Sequence, residues 1–232
     1  TDTPIAGPSY NPLPLEEEIQ FILDTAAQYL SRPPKRSDIL SVYVGIRPLV
    51  KAEGASGNTA ALSRDHTIHV DHTGLLTIVG GKWTTYRRMA EDCVNNAVLL
   101  GKLEDLPCAT QNLRIHGYLE DARRLGSLRV YGSDAQAILA LAESEAELSK
   151  RLHPDLPYIA AEVVWAVRHE MARTVDDILS RRTRALFLNA RAAMQMAAEV
   201  AELMARELKT DRAWVSRQLE EFNAVAQKYL VA

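Results

Sequence analysis

The character of the chain changes at about Ile115, and this change constrains the architecture more than any single motif. Before it, glycines and β-branched runs are broken by prolines. After it, alanine, leucine, glutamate and arginine take over. Glycine- and valine-rich stretches suit strands and tight turns, whereas a long Ala/Leu/Glu/Arg stretch has the composition of packed helices. The expected fold is therefore α+β in two parts. Residues 1–115 hold a partial antiparallel sheet with helices, and residues 116–232 form an all-helical domain. A chain of 232 residues is long enough to bury a sizeable core.

In the first part, Glu16 to Leu30 reads as a helix. Ile19, Ile22, Leu23, Ala26 and Leu30 recur at helical spacing, and three glutamates sit where the helix dipole favours them. "SRPPKRSD" is a breaker, with Asp38 placed to cap a short turn. "SVYVGIRPL", Ser41 to Leu49, alternates like a strand, and Pro48 keeps Arg47 extended at its rim. "SRDHTIHV" (Ser63 to Val70) and "LLTIVGG" flank the turn "DHTG" and read as a hairpin. A helix from about Thr85 to Leu100 follows, with Met89, Cys93, Val94, Ala97 and Val98 on one side and Gly101 as its stop.

In the second part, helices are expected at about Ser133–Ala142, Ile159–Glu170, Val175–Leu179, Asn189–Leu208 and Asp211–Leu230. The clearest carries Ala193, Met196, Ala197, Val200, Leu203, Met204 and Leu208 as one apolar stripe.

Several motifs fail on inspection. "GGKWTT" lacks the P-loop pattern, because Leu76 stands where the first glycine belongs and Trp83 where a serine or threonine follows the lysine. "HEMAR" has Arg173 in place of the second zinc histidine. Residues of "SRDH" alternate faces on a strand and make no triad. His66, His69 and His72 crowd together, but alternation separates His66 from His69, so no metal is expected. No GxGxxG follows a strand. A net charge of −3 does not suit nucleic acid, which wants a basic surface. Two cysteines, Cys93 and Cys108, make no disulfide framework and read as reduced thiols of a cytoplasmic protein.

Three cations remain at the ends of predicted elements: Arg47, Arg64 and Lys82. On one sheet edge they would suit a small doubly charged anion, since arginine offers a bidentate fork and lysine a point charge. Otherwise they are separate surface cations. The "GGKWTT" turn has two readings as well. It is a plain strand-to-helix turn with Trp83 as a core plug, or a place where backbone meets a ligand.

"VYVGIRPLV", "LSRDHTI" and above all "IVGGKWTTYRRMAED", with "TDTP" at the start, resemble the FAD-dependent glycerol-3-phosphate dehydrogenase family. The helical part looks like that family's C-terminal domain. The resemblance implies a C-terminal fragment. Residues 1–115 would be the C-terminal portion of the FAD-binding and substrate domain, and residues 116–232 the helical C-terminal domain. The GxGxxG half that grips the ADP part of FAD would precede Thr1, so the chain alone is expected to be inactive and not to retain FAD.

The resemblance further implies oxidation of glycerol 3-phosphate to dihydroxyacetone phosphate, with electrons passing from FAD to a quinone or another acceptor. Arg47 and Lys82 take the catalytic positions. Arg47, Arg64 and Lys82 bind substrate. Gly80, Gly81, Lys82, Trp83, Thr84 and Thr85 meet the flavin, with backbone N–H groups near Thr85 facing the charge it gains. His66 stands where relatives often have tyrosine. Peripheral contact with the inner face of the cell membrane and a homodimer are compatible with this reading. The exposed edges of a partial sheet favour self-association. A rival reading makes the chain a helical interaction or cap module of another flavin-dependent oxidoreductase of the same broad fold.

Overall fold

The computed structural model describes residues 3–5, 7, 9–10, 12–46 and 65–231. The fold is α+β, with a small antiparallel sheet and a majority of helix. The chain divides into two compact units, Thr1–Tyr10 with Gly45–Ile115, and Asn11–Val44 with His116–Ala232. Residues 11–44 thus join the helical unit, where the sequence reading had grouped them with the sheet.

The first unit is built on a hairpin. Strand β1, His66–Val70, pairs antiparallel with β2, Leu76–Gly80. Asp71 shapes the turn by accepting from the Thr73 amide at 2.8 Å and the Leu75 amide at 3.1 Å, and Gly74 supplies a positive φ of 87°. A single 3-10 turn, Trp83–Thr85, leads into helix α2, Tyr86–Gly101. The helix runs to Gly101, its expected stop, and Lys102 just past it takes the left-handed region. Ile68 and Ile78 face each other across the ladder on the half-buried face. Of the stripe expected on α2, Met89, Cys93 and Val98 are half-buried, but Val94 and Ala97 are exposed. No described residue of this unit is fully buried. A hairpin with one helix has little apolar area to remove from water.

The helical unit carries the core. Its helices are α1 (Glu16–Ala27), α3 (Ala135–Ser144), α4 (Ala160–His169), α5 (Ala185–Leu188), α6 (Ala190–Leu208) and α7 (Arg212–Ala226). The apolar stripe of α6 is buried as its spacing implies, with Leu208 half-buried at the end. Asn189 caps α6 by accepting from the Ala192 amide at 3.1 Å, and Asp211 caps α7 by accepting from the Trp214 amide at 2.9 Å. Asp38 accepts from the Lys35 amide at 2.8 Å, capping the short turn before Ile39.

Three local departures from the sequence reading have physical causes. Ser41–Ile46 is not a strand. Its polar groups go to helix ends instead: the Val42 amide donates to the Tyr229 carbonyl at 2.9 Å, the Ser41 hydroxyl to the Leu186 carbonyl at 2.7 Å, and the Ala190 amide to the Leu40 carbonyl at 3.0 Å. Tyr43 adds an edge contact to Phe187 at 5.0 Å. These bonds assign residues 11–44 to the helical unit. The segment expected as helix at Val175–Leu179 is a π-helix at Asp177–Arg182. Its start is held by Asp177, which accepts from the Arg173 amide at 2.9 Å and the Thr174 amide at 3.0 Å. Finally, Ala122–Asp134 is a series of 3-10 turns kinked at Gly126 and Gly132. A Cβ on Gly132 would stand 1.7 Å from the Gly117 carbonyl oxygen, so two backbones meet there.

A buried polar knot joins this series to α4. Glu162, almost without solvent exposure, accepts from the Tyr131 hydroxyl at 2.9 Å and from the Ile159 amide at 2.8 Å. Burial pushes its carboxyl above the ordinary range, and the two hydrogen bonds pull against that rise. Burial likewise raises the Tyr131 and Tyr158 hydroxyls.

Candidate functional site

The site of interest lies at the end of β2. Gly80 and Gly81 both have positive φ, 76° and 81°, a conformation that side chains with a Cβ rarely adopt. At Gly81 space is short as well. An added Cβ would lie 2.4 Å from the Met89 sulfur, 2.7 Å from its methyl carbon and 3.3 Å from the His66 Cβ. The glycines therefore let β2 turn tightly onto α2, and they leave the following residues facing outward.

Lys82, Trp83, Thr84 and Thr85 are all exposed. Trp83 is 85 % exposed and stacks on Tyr86 at 5.4 Å, so it is not a core plug. Thr85 directs both its amide (2.9 Å) and its hydroxyl (3.0 Å) to the Lys82 carbonyl, and the Tyr86 amide donates to the Trp83 carbonyl. Thr85 therefore braces the turn from inside. The Trp83 and Thr84 amides come first in the 3-10 turn and have no partner within it. With the cationic residue Lys82 at the N-cap of the turn they form a positively polarised corner. The first turn of α2 carries no acidic residue to neutralise it.

Below the corner runs a chain of charges. Arg87 pairs with Glu91 at 3.0 Å, Arg88 with Glu91 at 3.1 Å and with Asp92 at 3.3 Å. The Arg87 hydrogen bond holds the Glu91 carboxyl below its usual range. His66 Nε2 stands 3.0 Å from Asp92 Oδ2. Arg87 also donates to the Thr110 hydroxyl at 3.3 Å. Arg47 and Arg64 lie outside the described residues, so the expected three-cation cluster is represented here by Lys82 alone. Among the described residues, no group of three or more His, Cys, Asp or Glu side chains is arranged to hold a metal ion. Cys93 and Cys108 are free thiols. No helix among the described residues is long and apolar enough to cross a membrane.

The family described as the C-terminal domain of alpha-glycerophosphate oxidase matches residues 72–215. The chain belongs to that family. The match begins in the β1–β2 turn, takes in the whole Gly80–Thr85 corner, and ends within α7. The chain is 38 % identical to a mitochondrial glycerol-3-phosphate dehydrogenase of Homo sapiens over 99 % of its own length and 34 % of the relative's. It is 37 % identical to a mitochondrial glycerol-3-phosphate dehydrogenase of Arabidopsis thaliana over 90 % of its own length and 38 % of the relative's. The chain thus spans about a third of the length of these curated relatives. A solved glycerol-3-phosphate dehydrogenase from Bacillus halodurans, complexed with FAD, superposes on 100 % of this chain and 48 % of its own with a TM-score of 0.69, at 25 % identity. The resemblance carried by Ile78–Asp92 is in this way borne out by family and fold.

The helical unit holds a feature that no sequence signal announced. A cavity of about 370 Å³ lies against the π-helix, lined by Asp176, Asp177, Arg181, Gln218, Glu221 and Phe222 among others. Arg181 is tied to Asp176 at 2.6 Å and to Asp177 at 3.1 Å, so its charges answer one another. The "HEMAR" segment also resolves into structure. His169 stacks on Trp165 at 4.0 Å, and the Glu170 carbonyl accepts from Arg182.

Proposed function

We propose that this chain supplies the substrate-side part of the flavin site in an FAD-dependent glycerol-3-phosphate dehydrogenase. The observation that carries the reading is the Gly80–Thr85 corner. Two positive-φ glycines, an exposed lysine and two leading backbone amides stand together on a family scaffold. The corner fits an anionic ring edge, because its donors are fixed before any charge arrives and need no reorganisation.

In this reading the Trp83 and Thr84 amides face the pyrimidine side of FAD, with Gly80 and Gly81 clearing space and Thr85 bracing the turn. FAD, when bound, accepts the electron pair released as glycerol 3-phosphate becomes dihydroxyacetone phosphate. Lys82 adds a full positive charge next to the reacting centre. Arg47 lies beside the substrate carbon and Arg64 holds its phosphate. The electrons pass on to a quinone, and because quinones dissolve in lipid the proposal includes peripheral membrane contact. The fold neighbour was solved with FAD, which supports the cofactor assignment. The cytoplasmic setting expected from the two thiols draws no support from relatives that are named mitochondrial. The chain by itself is proposed to be inactive, since it contains no GxGxxG segment after a strand.

The test compares substrates with and without the phosphate in the full-length flavoprotein carrying this chain. Arg64→Ala is expected to lower kcat/KM for glycerol 3-phosphate by about a hundredfold, the order of two lost charge-assisted hydrogen bonds, and to leave turnover of glycerol almost unchanged. An equal loss on both substrates would remove Arg64 from the phosphate site and with it the substrate assignment.

A further inference from the structure

We infer that His66 is a positioning residue for the Gly80–Thr85 corner, acting through Asp92. The inference rests on the flavin reading above for its functional consequence, but its geometry stands separately.

His66 opens β1 and is the cross-strand partner of Gly80, the first glycine of the turn. Its Cβ lies 3.3 Å from where a Cβ on Gly81 would be, so the residue also backs the second glycine. Its Nε2 reaches across to Asp92 Oδ2 at 3.0 Å, on the second turn of α2. Asp92 is held in turn by Arg88 Nε at 3.3 Å. One side chain therefore touches the turn from beneath and ties the strand before it to the helix after it.

The link matters because it joins β1 directly to α2, on either side of the turn. None of its described side chains is fully buried, so hydrophobic packing between hairpin and helix is thin. The His66–Asp92 pair is only 19 % and 26 % exposed, whereas Arg88 in the neighbouring pairs is 63 % exposed. Water screens the first much less than the second. Three residues, Trp83 to Thr85, bridge from the glycines to α2. If the helix slides against the hairpin, the Trp83 and Thr84 amides and the Lys82 side chain re-aim. Donors of this kind work only when held within a fraction of an ångström.

The experiment uses the full-length flavoprotein carrying this chain, with FAD itself as the probe. His66→Ala is expected to weaken FAD binding by about tenfold and to speed hydrogen exchange of the amides at residues 82–86 by a similar factor. His66→Gln, which keeps an N–H donor at similar reach, is expected to restore most of both. Lys82→Ala serves as the reference for the flavin reading and is expected to weaken FAD binding without changing exchange. If His66→Ala leaves exchange at residues 82–86 unchanged, the positioning role is overturned, whatever Lys82→Ala does. If His66→Ala speeds exchange while neither variant alters FAD binding, the latch stands and the flavin reading falls.

Discussion

Gly81→Val is expected to strip FAD from the full-length flavoprotein proposed to carry this chain. Two independent strains produce that result. At φ 81° a β-branched residue is sterically excluded, and the forced conformation alone costs on the order of 1–3 kcal/mol. The new side chain also arrives where Met89 and His66 already are. The Met89 sulfur and methyl carbon, 2.4 Å and 2.7 Å from the new Cβ, belong to a flexible end that can swing away. The His66 Cβ at 3.3 Å is fixed to the strand and must carry β1 with it. Relief therefore moves the pieces that hold the corner in place. Gly81→Ala is the milder form, with a backbone cost of about 1–2 kcal/mol and partial loss of FAD. The measurement is the flavin-to-protein absorbance ratio after desalting. A valine variant with a full complement of FAD would show that the turn is not part of the flavin site.

The second large effect belongs to the helical unit. Glu162→Ala leaves the Tyr131 hydroxyl and the Ile159 amide without their acceptor in a nearly dry place. Each orphaned donor costs about 1–3 kcal/mol, so a loss of roughly 3 kcal/mol is expected in chemical denaturation. Glu162→Gln behaves differently, because its oxygen still accepts from the Ile159 amide and its NH2 donates to the Tyr131 oxygen, which can accept.

The pH dependence separates the two roles of the carboxyl. Burial raises the folded-state pKa of Glu162 above its unfolded value. The folded state then binds the proton more tightly, so stabilisation from this group grows as pH falls through the folded pKa. It is complete below the unfolded value of about 4.3, and it is lost again as pH rises. The difference in stability between the parent protein and Glu162→Gln is therefore expected to move in favour of the parent on acidification. Asp177, whose amide hydrogen bonds lower its carboxyl despite partial burial, works in the opposite direction in both proteins and cancels from that difference.

These positions also mark how far the sequence could be read. The hairpin was legible because "HTIHV" and "LTIVG" alternate around a turn whose aspartate and glycine have defined jobs. The α6 stripe was legible because a 3.6-residue period leaves one face of "AAMQMAAEVAELMA" to bury, and Met196, Val200 and Met204 fall on it together. Ser41–Ile46 alternates equally well but is no strand, because helix termini and not a neighbouring strand satisfy Leu40, Ser41 and Val42. Alternation reports which faces differ, not what lies across from them. The π-helix at Asp177–Arg182 shifts register by one residue per turn, which a five-residue apolar pattern does not reveal. Gly132 is constrained by the backbone of Gly117, a contact between positions that carry no mutual signal in a single sequence.

At the corner itself, "GGKWTT" announced a glycine-assisted turn with a cation. The division of labour inside it was not legible. Thr85 turns its donors inward while Trp83 and Thr84 lead the 3-10 turn, and only the hydrogen bonds show this. The pairing of His66 with both Gly80 and Asp92 likewise depends on register and on the approach of α2, neither of which spacing provides.

The central claim is that this chain completes a flavin site for glycerol 3-phosphate. It is tested most directly by adding glycerol 3-phosphate, without oxygen or quinone, to the full-length flavoprotein carrying this chain and following the flavin's visible band. The account predicts that the band bleaches in the parent protein, and that Lys82→Ala protein reloaded with FAD bleaches at least tenfold more slowly. A band that stays unbleached in the parent protein at saturating glycerol 3-phosphate would contradict the account.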